Sequence, residues 1–150
     1  MSTAIAVKSN SSPSLTIKHR YKSTPEKVYA AWTDPAKMSR WLGPPNVIKV
    51  NVTAEVKVGG RYAIQMIVPD DEHNVSGVYR ELAPNRKLVF TWAWRSTPER
   101  ESLVTVTITP DGDGTIMTLL HEQFFDEAAR DSHQKGWSVI VGRLEQVLNG

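Results

Sequence analysis

The chain has 150 residues, no cysteine, and 18 Lys and Arg against 16 Asp and Glu, for a net charge of +2. The absence of cysteine excludes disulfides, thiol catalysis and thiolate zinc sites. The balanced charge excludes an electrostatic nucleic-acid binder: the closest thing to a basic run, Arg95 to Arg100, is interrupted by Glu99.

A hydrophobic fraction of 40% and a charged fraction of 23% describe an ordinary globular chain. Its length favours one domain, able to bury about 68–70% of its unfolded surface. The start, MSTAIAVKSNSSPS, has neither a basic n-region nor an apolar h-region, so it does not read as a secretory signal. No apolar run approaches the ~20 residues that cross a bilayer. A cytoplasmic protein without a membrane span is expected. Residues 1–13 are aperiodic and rich in Ser and Asn, and read as a mobile tail before a single domain over 14–150.

LTIKHRY (Leu15–Tyr21) alternates apolar and polar, as a half-buried strand does. In STPEKVYAAW, Ser23 and Glu26 have capping-box spacing and Pro25 suits a first turn. Val28, Ala31 and Trp32 then mark one helical face. Asp34-Pro35 interrupts the pattern and restarts it, with Asp34 as cap and Met38, Trp41 and Leu42 as a second apolar face. Gly43-Pro44-Pro45 ends it.

From Val47 to Gln123 the chain reads as strand and turn. Ile48, Val50, Val52 and Ala54 share a phase; so do Tyr62, Ile64, Met66 and Val68; so do Leu88, Phe90, Trp92 and Trp94. Val104, Val106 and Ile108 follow, then Met117, Leu119 and His121. Gly59-Gly60, PDDEH, APNR and DGDG read as turns. Short strands at even spacing predict an antiparallel meander. From about Asp126 to Leu148, Trp137, Ile140, Val141, Leu144, Val147 and Leu148 form one long helical stripe.

Strands segregated from helices indicate an α+β fold with a six- or seven-stranded antiparallel sheet. One helix about 10–12 Å wide cannot cover such a sheet. A strongly curved sheet wraps the helix and leaves space at an end, and the two short helices turn that corner with Trp41 and Leu42 as the plug.

These residues together resemble the START-like helix-grip superfamily. More closely, they resemble bacterial single-domain relatives of the activator of the heat-shock chaperone ATPase. The resemblance runs from about Ser14 to Leu148. It rests on TPEKVYAAWTDP with RWLGP, VGGRY, SGVYREL with KLVFTW, DGDGT and HQKGWSVIVGRLEQVL, in that order. Many relatives carry Asp and Arg where this chain has Glu55 and Lys57, and a second Trp where it has Leu42.

The resemblance implies a curved sheet gripping a C-terminal helix, with a largely apolar cavity between them that takes hydrophobic or aromatic small molecules. It also admits a regulatory protein that touches a chaperone or other protein through its surface, and, more weakly, a cyclase or hydrolase. The candidate lining is Trp41, Tyr62, Met66, Tyr79, Phe90, Trp92, Met117, Leu119, His121, His133, Trp137 and Val141. Gly136, beside Trp137, would leave room next to the helix stripe. His121 shares the inward phase of Met117 and Leu119 and is the residue suited to orient a ligand. No nucleophile elbow, phosphate-cradling glycine motif or inward carboxylate pair is present, so no catalytic residue is assigned. No metal or cofactor is expected, since the Asp70–His73 run lacks ligand spacing. A monomer or weak homodimer is expected.

Overall fold

A computed structural model describes residues 12–149, so the expected tail lies outside the described residues apart from Ser12 and Pro13. The elements run β1 (Leu15–Tyr21), α1 (Pro25–Thr33), α2 (Pro35–Trp41), β2 (Lys49–Ala54), β3 (Arg61–Val68), β4 (Asp71–Ala83), β5 (Lys87–Trp94), β6 (Ser102–Asp111), β7 (Gly114–Glu122) and α3 (Glu127–Asn149). The seven strands form one sheet, ordered β1-β7-β6-β5-β4-β3-β2, in which every neighbouring pair is antiparallel. β1 closes onto the last strand, with Leu15 opposite His121 and Tyr21 opposite Thr115.

The alternation of each strand puts its apolar residues on the concave side, where Ile64, Phe90, Val104 and Leu119 are buried. α3 lies across that side and buries Trp137, Val141 and Leu144. Among the contacts that fasten it, Tyr21 donates its hydroxyl to the Val141 carbonyl at 2.8 Å, and Arg143 Nη1 donates to the Gly43 carbonyl at 3.0 Å.

The interruption at Asp34-Pro35 is a shared cap. The Asp34 N–H donates to Ala30 O and closes α1. Its carboxylate accepts from the Ala36 N–H at 3.0 Å and opens α2. The corner lets Trp41 turn back under α1, where its indole N–H donates to Ala31 O at 2.9 Å and its ring meets Trp32 edge-on. Trp41 is fully buried. Gly43 follows at φ +114, and a β-carbon there would lie 3.2 Å from the Val47 side chain. This turn suits glycine alone.

Two sequence expectations are corrected. The first helix is capped by Thr24, whose hydroxyl accepts from the Lys27 N–H, and not by Ser23. Ser23 is instead buried, with no partner for its hydroxyl among the described residues. The acidic stretch PDDEH is mostly strand: only Pro69-Asp70 turns, with Asp70 at φ 64. Asp71, Glu72 and His73 already pair with Val68, Ile67 and Met66.

β4 bends at a bulge between Tyr79 and Glu81. Just before it, Gly77 lies against β5, and a β-carbon there would sit 1.9 Å from the Thr91 carbonyl oxygen. That bare backbone admits the Tyr62 ring, whose hydroxyl donates to the same Thr91 carbonyl. No described helix is long and apolar enough to cross a membrane.

Candidate functional site

At one end of the sheet, the concave face and α3 part to leave a cavity of about 650 Å³. Its floor and walls are Met66 at the end of β3, Trp92 and Trp94 at the end of β5, and Trp137 and Ile140 on α3. Gly43 and Pro44, held by Arg143, form one lip. Asp71, Glu72, His73 and Asn74 of β4, with Arg95 and Ser96 after β5, form a polar rim. On that rim Glu72 Oε2 accepts from Gln65 at 3.0 Å and from Asn74 at 2.8 Å, and these bonds hold its carboxyl below the usual range. Gly136 also faces the space: a β-carbon there would meet nothing within 4 Å.

Two tryptophan–histidine pairs set the aromatic walls. Trp94 donates its indole N–H to His133 Nε2 at 2.9 Å, and His133 Nδ1 lies 2.7 Å from the Ala129 carbonyl. Since an indole only donates, the His133 proton sits on Nδ1 and goes to Ala129. Trp137 likewise donates to His121 Nδ1 at 3.0 Å. His121 Nε2 therefore carries the proton and donates to Ser102 Oγ at 2.7 Å, and Ser102 passes its own to the Trp92 carbonyl. Each imidazole is neutral, satisfied on both nitrogens, and used to orient an indole. Burial drives the His121 pKa down to about 2, with the nearby His133 adding to the effect. Burial also lowers His133, against the opposing bond to Ala129.

Four residues of the expected lining come together at this cavity: Met66, Trp92, His133 and Trp137. Tyr62, Tyr79 and Phe90 line instead a much smaller void of about 10 Å³ deeper in the core, of which Trp92 is also a wall. Trp41, Leu119 and Val141 are packed in the core. Met117 is buried there too, and its sulfur accepts the Trp32 indole N–H at 3.2 Å. His121 stands behind Trp137. Sequence reasoning missed the rim from Asp71 to Asn74 and Arg95. The available signal was register: once the turn is only Pro69-Asp70, His73 falls opposite Met66 at the mouth. Among the described residues, no group of three or more His, Asp and Glu could hold a metal.

A curved antiparallel sheet closed on one long C-terminal helix, with a cavity between them, defines the helix-grip class of START-like domains. Within that class, the family model described as Activator of Hsp90 ATPase homolog 1-like protein matches residues 22–149, and the chain belongs to that family. The human protein named Activator of 90 kDa heat shock protein ATPase homolog 1 is 24% identical over 124 residues; the match covers 82% of this chain but only 33% of the human one. Protein CV1439 from Chromobacterium violaceum superposes with a TM-score of 0.81 at 21% identity, covering 91% of this chain and 98% of that one. A Rhizobium loti protein superposes with a TM-score of 0.77 at 25% identity, covering 91% and 96%.

Proposed function

We propose that this protein binds a small, flat, largely apolar ligand in the cavity between the ends of β3–β5 and α3. The observation that carries this reading is the meeting of three indoles, Trp92, Trp94 and Trp137, around one space of about 650 Å³. That volume falls within the ~300–1,000 Å³ usual for small-molecule pockets. Two of the three rings are already held by His133 and His121. A ligand that stacks on them meets walls whose ordering cost has been met in folding. Glu72, His73 and Arg95 at the rim offer polar handles while the apolar body stays inside.

A surface-mediated role is the second reading. It is favoured by Ile48 and Val58, which are 67% and 65% exposed, and by the human relative, whose name refers to the ATPase of a 90 kDa heat shock protein. Catalysis by His121 has less support, because both of its nitrogens are engaged within the core.

The test is a thermal-shift and tryptophan-emission titration with flavonoids, polyketide-like polycyclic aromatics and fatty acids. Aromatic compounds should raise Tm and change the emission; saturating ligand at a hundredfold excess over Kd stabilises by ~2.7 kcal/mol. Gly136→Phe, which grows into the cavity from a position with open space, should remove the response without unfolding the protein. Ligand response retained in Gly136→Phe, or absent for every compound in wild type, would sink the reading.

A further inference from the structure

Trp92 separates the two internal spaces: one side meets the 650 Å³ cavity and another the 10 Å³ void bounded by Tyr62, Tyr79 and Phe90. The polar groups around this core are almost all satisfied. Trp32, Trp41, Trp94 and Trp137 each give their indole N–H to a defined acceptor, and the Tyr62 hydroxyl reaches Thr91 O. Of the three exceptions among the described residues, one is Ser23 just before α1, and the other two, Trp92 Nε1 and the Tyr79 hydroxyl, lie in this region: both are buried, and neither has a partner among the described residues. The residues that own these orphaned groups wall the same void. Buried polar groups are normally paired, and phenylalanine at either position would have avoided the loss.

We infer that this void is the polar inner end of the ligand site and takes one uncharged carbonyl oxygen of the ligand, hydrogen-bonded by Trp92 Nε1–H and the Tyr79 hydroxyl. The inference rests on the binding reading above and specifies its ligand class: a polycyclic ketone, aldehyde or amide. An indole N–H can only donate, and a phenol can donate. A carbonyl oxygen has two lone pairs and can accept from both. A carboxylate does not fit, because Trp32, Met38, Leu42, Ile64 and the aromatic residues around the void include no cation to offset its charge. The void is about one water in size, so a single atom enters it while the rings stay in the larger cavity. Trp92 is also the one cavity indole whose N–H has no acceptor among the described residues, so that donor is free for the arriving oxygen.

Matched pairs test this: fluorenone against fluorene, and benzophenone against diphenylmethane, titrated into wild type and Tyr79→Phe. In wild type each ketone should bind about tenfold tighter than its hydrocarbon, and the C=O stretch of bound fluorenone should shift to lower frequency. Tyr79→Phe should bring ketone affinity close to that of the hydrocarbon, reduce the shift of the stretch, and leave the unliganded Tm unchanged or higher. Trp92→Phe should likewise reduce the shift. If both members of each pair bind equally, or if Tyr79→Phe lowers the unliganded Tm and keeps the ketone preference, the oxygen subsite is overturned while the binding reading stands. If neither member binds, the binding reading falls and takes the subsite with it.

Discussion

Trp137 donates its indole N–H to His121 Nδ1 at 3.0 Å, and that bond sets the tautomer of a fully buried histidine on the opposing strand. The next two links, to Ser102 and then to the Trp92 carbonyl, tie α3 to β7, β6 and β5. His121→Phe keeps bulk but leaves Trp137 Nε1 without its acceptor. The expected loss is ~1–3 kcal/mol, the usual penalty for a stranded buried donor, measured by urea unfolding. A variant as stable as wild type would show that the chain of bonds contributes nothing net.

The same histidine makes stability pH-dependent. Its folded pKa is depressed to about 2 by burial and by His133, whereas an unfolded imidazole titrates near ~6.5. The unfolded chain therefore binds a proton that the folded chain refuses. The contribution is complete above about pH 6.5 and is lost as pH falls from there toward 2, at up to ~1.4 kcal/mol per pH unit. His133, also depressed, acts in the same direction. Unfolding free energy should be level near pH 7.5 and decline between about pH 6 and pH 5. In His121→Phe the decline should be shallower by one proton. Stability that increases on acidification over this interval would refute the assignment.

Gly136 lies within α3, and a β-carbon there meets nothing within 4 Å. Gly136→Ala should therefore stabilise by about 0.5–1 kcal/mol through helix propensity alone, read as a shift in the urea midpoint at constant slope. A destabilised alanine variant would show that the backbone at this position needs glycine for some reason other than space.

Trp41 is completely buried beneath the α1–α2 corner, with its N–H on Ala31 O and its ring edge-on to Trp32. Trp41→Ala should cost ~3–5 kcal/mol, as large-to-small core truncations do. A loss below ~1 kcal/mol would mean that the corner refills the space by collapse.

Periodicity carried most of the fold. The alternation in Leu15–Tyr21, Arg61–Val68 and Lys87–Trp94 became β1, β3 and β5 over those same residues, because one face of each packs into the core, while the other is wet in β1 and β3 and largely covered in β5. The start of β4 did not show itself. Asp71, Glu72 and His73 stand at the exposed end of a hairpin, where neither face supplies an apolar alternation. The site was harder to see for a related reason. Phase tells which side of the sheet a residue faces, and it put Met117, Phe90 and Trp92 on the same side. Whether an inward residue meets another side chain or open space depends on how far along the strand it lies. Trp92 reaches the cavity whereas Phe90, two residues earlier, reaches only the small void. That distinction is set by where α3 departs from the sheet, a long-range relationship with no local signature.

The shared cap at Asp34 bears on how the molecule breathes. α1 and α2 have nine and seven residues, both below the ~12–15 at which an isolated helix persists in water. One side chain and one amide of Asp34 serve both, so neither helix can fray at that joint without uncapping the other. Their amides should exchange with solvent together, as one cooperative unit, ahead of those in the central strands β5, β6 and β7. Because α2 leads directly into Gly43 and Pro44 at the lip of the cavity, an opening of that unit would widen the entrance while the sheet stays folded.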